Sequence, residues 1–224
     1  MNTKVLGVIA LVLMLITCYL IFFVAPIEST MGIVQKIFYF HVPNAILSYT
    51  AAILLGFASI MFLATSNQKW DRYGSVSAEL GVLFTTTAIV SGMIWGKPAW
   101  GKYWVSWDVR LNLELVLLLT LVAYLMLRAY LPNQEKRATL SCVFGLLALL
   151  NIPFNYLSIY LLPTQHPKPV VSPGGGGIDP GMKPAFYLSL LTWLIIFTYL
   201  FLKRLAVARL QEEVEYLEHR VRNA

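Results

Sequence analysis

Charge is what this chain has least of. Asp, Glu, Lys and Arg make up 12% of its 224 residues, about half the roughly 25% of a soluble globular domain, which excludes an ordinary water-soluble fold. Cysteine occurs twice, at Cys18 and Cys142, each inside an apolar stretch and without a Cys-x-x-Cys pair. That spacing offers neither a dithiol redox motif nor a thiolate zinc site and reads both as packing residues. Histidine occurs three times. No Ser/His/Asp arrangement, phosphate-binding loop, nucleotide motif or clustered zinc ligands can be read from the chain, so the residues suit binding or transfer better than hydrolysis.

What fills the chain instead is hydrophobic: 58% of residues, with a mean hydropathy of +0.68. Apolar runs lie at 5–25, 43–64, 76–94, 113–131, 139–162 and 185–202, each close to the ~20 residues a helix needs to cross a ~30 Å hydrocarbon core. The sequence therefore predicts an all-α integral membrane protein of six transmembrane helices, with residues 1–204 as one domain. The first run is longer than a signal-peptide core and is followed by no evident small-x-small cleavage site, so it reads as a retained helix. With the N-terminus inside, eleven Lys and Arg fall on inner segments and six (Lys36, Lys97, Lys102, Arg110, Lys168 and Lys183) on outer loops. This bias places both termini in the cytoplasm, and the net charge of +6 then reads as topology and attraction to anionic lipid, not nucleic-acid binding.

Four of the six tryptophans lie in Trp95-Gly-Lys-Pro-Ala-Trp100-Gly-Lys-Tyr-Trp104-Val-Ser-Trp107-Asp108, between the third and fourth runs. Indole suits a membrane interface, being apolar with one N–H donor, but an ordinary belt does not need this density. Trp100, Trp104 and Trp107 stand at i, i+4 and i+7, one face if the segment is helical. Pro98 is able to open such a short surface helix, and Gly96 and Gly101 permit close approach by a ligand or helix. The stretch resembles a platform for something flat and apolar.

Two of the histidines share that outer face. His41 precedes the second run and His166 lies in the outer loop before the sixth; His219 belongs to the C-terminal tail, on the other side. Two neutral imidazoles on opposite sides of a flat macrocycle would ligate haem iron axially. The tryptophans would then cover a porphyrin face or edge, and Lys97, Lys102 or Arg110 would pair its propionates. Asp108 suits either a helix cap or a ligand contact. Glu79 and Glu114 lie within or near helix ends, and an acid inside a membrane is a functional candidate.

Elsewhere, Pro163 to Gly177 cannot continue a helix and predicts a flexible outer flap. Asn151-Ile-Pro153-Phe-Asn155 predicts a kink whose asparagines can pair with freed carbonyls or neighbouring helices. Residues 205–224 form a cytoplasmic amphipathic helix in which Val207, Leu210, Val214, Leu217 and Val221 follow a 3-4-3-4 spacing, fit to dock on a partner, to pair with itself or to lie on the membrane.

The Trp-Gly-Lys-Pro-Ala-Trp-Gly stretch running into Trp107-Asp108 resembles the tryptophan-rich WWD domain of haem-handling membrane proteins of cytochrome c biogenesis. Within them, Gln35 with Tyr39-Phe40-His41-Val42-Pro43-Asn44-Ala45, Trp107-Asp108-Val109-Arg110-Leu111 and six helices in about 220 residues resemble the cytochrome c maturation protein C, or haem exporter protein C, family. The resemblance implies a chain in the bacterial inner membrane that holds haem b on the periplasmic side, with His41 and His166 as iron ligands. Trp95, Trp100, Trp104, Trp107 and Asp108 would then form the haem and chaperone platform. Its implied partners are the periplasmic haem chaperone (maturation protein E), ABC transporter proteins A and B, and a small membrane protein D. The implied activity is haem binding and transfer, not catalysis. Two alternatives stand beside it: a haem lyase attaching haem directly to apocytochrome c, and a structural or transport subunit of an ABC complex.

Overall fold

The structure, a computed structural model, describes residues 3–169 and 177–222. Residues 170–176 of the expected flap and 223–224 of the tail lie outside the described residues. Among the described residues six α-helices follow one another: α1 (Thr3–Tyr19), α2 (Phe38–Thr65), α3 (Gln68–Trp100), α4 (Val109–Tyr130), α5 (Gln134–Leu161) and α6 (Lys183–Arg222). The architecture is all-α, and every one of these helical segments is long and apolar enough to cross a membrane. α1 reaches that length through a π turn at Leu20–Val24, which brings its span to 22 residues. The buried Lys36 ammonium closes that turn by donating to the Phe22 carbonyl at 2.9 Å.

Short polar links set the antiparallel order. Ser66, at φ 53°, ends α2, and Asn67 caps α3 by accepting the Lys69 N–H at 3.0 Å. Asn133 caps α5 in the same way through Lys136, as short polar residues do where a first turn leaves N–H groups unpaired. α2 and α3 form the centre. On one side Ala52, Leu55 and Ala78 pack with Leu117, Leu121, Tyr124 and Ala148 of α4 and α5. On the other, Leu47, Ala51, Leu80 and Phe84 pack with Phe197 of α6. α1 lies outside, tied to α6 by a buried Thr17–Thr192 hydroxyl bond of 2.8 Å. Outward-facing Leu11, Leu15, Leu119, Met126 and Leu150 are exposed, a surface suited to lipid tails.

Four sequence expectations change in detail. α2 begins at Phe38, before the apolar run, so His41 is a helical residue and not a loop residue. Pro43 sits inside that helix and removes the N–H that would reach the Tyr39 carbonyl four residues back. The fully buried Ser189 hydroxyl of α6 donates to that carbonyl instead, which is why the helix runs through. Second, no short helix opens at Pro98: α3 continues to Trp100 and closes at Gly101, whose φ of 75° suits glycine and whose N–H bonds Lys97 O at 2.9 Å. A proline in the last turn deletes one bond without ending the helix. Third, residues 101–108 are irregular, so Trp100, Trp104 and Trp107 do not share a helical face. Fourth, α6 runs unbroken through residue 204, making the tail a continuation of the sixth span.

Candidate functional site: two histidines at one end of the bundle

The start of α2, the end of α3, the start of α4 and the loop after α5 meet at one end of the bundle, and there His41 and His166 come together. Their ring centres are 6.5 Å apart with planes 40° from parallel. Neither was assured by the sequence, where 125 positions separate them.

Each ring is oriented through Nδ1. His41 Nδ1 lies 3.1 Å from the Ala88 carbonyl and 3.1 Å from Ser91 Oγ, both on α3. A carbonyl only accepts, so Nδ1 carries the proton and the lone pair is on Nε2. His166 repeats the arrangement within its loop, with Nδ1 at 2.8 Å from the Pro167 carbonyl. An Nδ1–H bonded to a carbonyl is the outer partner that usually fixes a metal-ligating imidazole. The His166 ring is pushed down to about 3 from its ordinary pKa, first by burial and then by the nearby Arg110 guanidinium, and so stays neutral, as a ligand must.

Gly92 makes room for His41. A Cβ built there would stand 3.1 Å from His41 Cε1 and 3.5 Å from Nδ1. Trp95, one turn on, meets the His41 ring edge-on at 5.8 Å and donates its Nε1–H toward Met31 Sδ at 3.2 Å. On its other side Trp95 shares a cleft of about 370 Å³ with Met31, Gln35, Phe38, Asp179 and Met182. Trp100 folds back over Gly96, where an added Cβ would meet its ring at 3.2 Å. Trp104 is half-buried, while Trp107 is 54% exposed beside the fully buried Asp108. Trp95, Trp100 and Trp104 are thus half-buried, with Trp95 against His41, while Trp107 stands in the open.

Asp108 is fully occupied. Its Oδ1 caps α4, accepting from the N–H groups of Arg110 (3.0 Å) and Leu111 (3.3 Å). Its Oδ2 accepts from Thr164 Oγ1 (2.8 Å) and the Gln165 N–H (2.7 Å), and Thr164 Oγ1 in turn accepts the His166 N–H at 3.0 Å. The carboxylate therefore clasps the His166 loop to α4, the cap alternative of the sequence reading extended by a second task. Of the three candidate propionate partners, Arg110 faces the histidines electrostatically while donating to the Asn155 carbonyl at 3.1 Å. Lys97 instead caps α3 through Gly101 O at 3.1 Å and lies over Tyr103, and Lys102 is exposed.

Beneath this layer the Glu114 carboxylate accepts from Ser48 Oγ (3.1 Å) and Asn155 Nδ2 (3.2 Å). Asn151 Nδ2 donates to the Leu113 carbonyl at 3.1 Å. The expected pairing of these asparagines with a neighbouring helix is thus present, and the membrane acid is satisfied by donors from α2 and α5. Ser91, Gly92, Thr164 and Ser189 were not legible as site residues. Each acts across elements distant in sequence, and only Gly92 carries a hint, as one of few glycines inside an apolar run.

The ring spacing is compatible with a single metal ion between two trans imidazoles. A metal–imidazole bond of roughly 2 Å plus about 1 Å from nitrogen to ring centre puts two imidazoles on one metal about 6 Å apart, centre to centre. The distance of 6.5 Å between the α2 ring and the loop ring is close to that value, and both lone pairs are on Nε2.

Comparison with known proteins gives the family. The family model described as heme exporter protein C matches residues 1–223. A heme exporter protein C of Bradyrhizobium diazoefficiens is 32% identical over 200 residues, covering 89% of this chain and 73% of its own. The heme exporter protein C of Escherichia coli K12 is 30% identical over 181 residues, 81% and 73% of the two chains. A ccmC-like mitochondrial protein of cytochrome c biosynthesis from Marchantia polymorpha is 33% identical over 170 residues, 76% and 72%. With a family match running nearly end to end over a six-helix, two-histidine framework, this chain belongs to the heme exporter protein C family.

Proposed function

We propose that this chain binds haem b between His41 and His166 on the outer face of the inner membrane and passes it to a periplasmic haem chaperone during cytochrome c maturation. The observation that carries the proposal is the pair of imidazoles 6.5 Å apart, each with Nδ1 committed to a carbonyl. Bound haem would supply the iron that both Nε2 atoms ligate. Trp95 would border the ring edge, Trp100 and Trp104 would shelter it, and Trp107 would face the chaperone. Arg110, with Lys97 and Lys102 farther out, would meet the propionates. Asp108 acts in this scheme by holding the His166 loop. The chaperone corresponds to maturation protein E, and the assembly would include ABC transporter proteins A and B and the small protein D. The orientation rests on the positive-inside bias of the loops.

Protein purified from haem-replete cells is expected to carry a Soret band of six-coordinate haem and a b-type pyridine haemochrome. Both should weaken in His41→Ala and His166→Ala. Loading of a co-expressed chaperone should fall in Trp107→Ala while haem stays on this chain. Absence of haem from the wild type, or covalent attachment to an apocytochrome by this chain alone, would overturn the proposal; the second result would favour the lyase reading.

A further inference from the structure

At the end of the bundle away from the histidines, α6 leaves the other helices still carrying an apolar stripe. Val207, Leu210, Val214, Leu217 and Val221 are 46–78% exposed. Read as a heptad, valine holds every a position and leucine both d positions, the combination that favours two parallel strands. The structure adds what the spacing could not: which way the stripe faces. Glu212 occupies f, opposite the seam, and Arg72 of α3 grips its carboxylate through both Nε (2.9 Å) and Nη2. Nearer the bundle, Arg204 reaches Glu79 Oε2 and Oε1 at 2.5 and 2.8 Å and Gln211 at 3.1 Å. α3 therefore holds the back of the emerging helix and turns its seam away from the rest of the chain.

The flanks say what would fit the seam. Positions e and g hold Gln211, Glu213, Glu218 and Arg220. A second copy inserted in the same orientation would pair in parallel and in register, setting Glu213 at g against Glu218 at the following e, twice per dimer. Like charges at these positions select against self-pairing. A lipid surface fits poorly too. The seam is a narrow two-position stripe, unlike the broad apolar face of a helix that lies in a lipid interface. We propose that this stripe docks a parallel helix of a different chain, one that leaves the same membrane face with an aliphatic seam and Lys or Arg at the two positions opposite Glu213 and Glu218.

The test uses the full chain in detergent and two synthetic helical peptides with the same Val/Leu seam, one with Lys and one with Glu at its e and g positions. The Lys peptide is expected to bind at least about tenfold more tightly than the Glu peptide. The preference should invert in Glu213→Lys/Glu218→Lys, and neither peptide should bind Leu210→Glu/Leu217→Glu. Equal binding of the two peptides, no saturable binding, or Lys-peptide binding that survives loss of the seam would overturn the proposal. So would a wild-type dimer that Leu210→Glu/Leu217→Glu dissociates, which would assign the stripe to a second copy.

Discussion

At the scale of single residues, the two histidines illustrate how little of a ligand's chemistry lies in the ligand. In the proposed haem site, what would fit His41 for iron is the Ala88 carbonyl that takes its Nδ1 proton and the missing Cβ at Gly92. Gly92→Ala is expected to push the imidazole by a few tenths of an ångström and weaken haem retention severalfold, with little change in thermal unfolding; haem titration beside a melting curve checks both. His166 carries a pH consequence. Its pKa is depressed to about 3 from an ordinary value near 6.5, so the folded protein keeps the ring neutral where the unfolded chain protonates it. The linked stability is fully present above about pH 6.5 and is lost as pH falls toward about 3. Iron ligation by His166 is accordingly expected to persist at pH 5, as a pH series of Soret spectra would record; release with a midpoint near 6.5 would contradict it. The histidine pair and the tryptophan density were legible because those residue types are scarce and costly to place. Gly92 and Ser91 were not, since their meaning depends on a helix dozens of residues away.

At the scale of elements, the sequence located all six helices by their apolar runs but misplaced the edges that matter to the site. The second apolar run begins at Pro43 and a separate short helix is expected to open at Pro98, yet α2 and α3 run through both. In a membrane, a carbonyl freed by proline needs a new donor, and that donor comes from another element, which no local pattern reveals. Ser189 serves Tyr39 O in this way. Ser189→Ala is therefore expected to destabilise the fold by about 1–2 kcal/mol, the usual cost of orphaning a buried acceptor. Adding Pro43→Ala, which restores the helical N–H, should recover much of that loss. Thermal denaturation of the two single variants and the double in detergent measures the coupling, and simple additivity would argue against it. The same limit explains the tail: its heptad was legible, whereas its direction depended on Arg72 meeting Glu212.

At the scale of the whole molecule, the proposed haem site and the charged pairs that anchor the helices lie at opposite ends. One end gathers the histidines, the tryptophans and Arg110. The other holds Arg128–Asp71, Arg204–Glu79 and Arg72–Glu212, charged pairs that tie α3 to α4 and α6. The proposed orientation, which rests on the positive-inside bias, puts the histidine end in the periplasm. A membrane-impermeant maleimide should therefore label Lys102→Cys in intact spheroplasts and Arg209→Cys only after lysis; the reverse pattern would invert the topology. Fold class was legible because a six-span composition has few solutions, and because lipid forces the backbone into helices. The pairing of His41 with His166 was foreseeable only as a shared face, for its geometry is set by α3 and by the Asp108 clasp together.

The central claim is that both imidazoles ligate one iron, and electron paramagnetic resonance of the ferric, haem-loaded protein tests it most directly. The wild type is expected to give a low-spin bis-imidazole spectrum. His41→Gly and His166→Gly should each lose it, and added imidazole should restore it in both. A low-spin spectrum that survives in either variant without imidazole would contradict the claim.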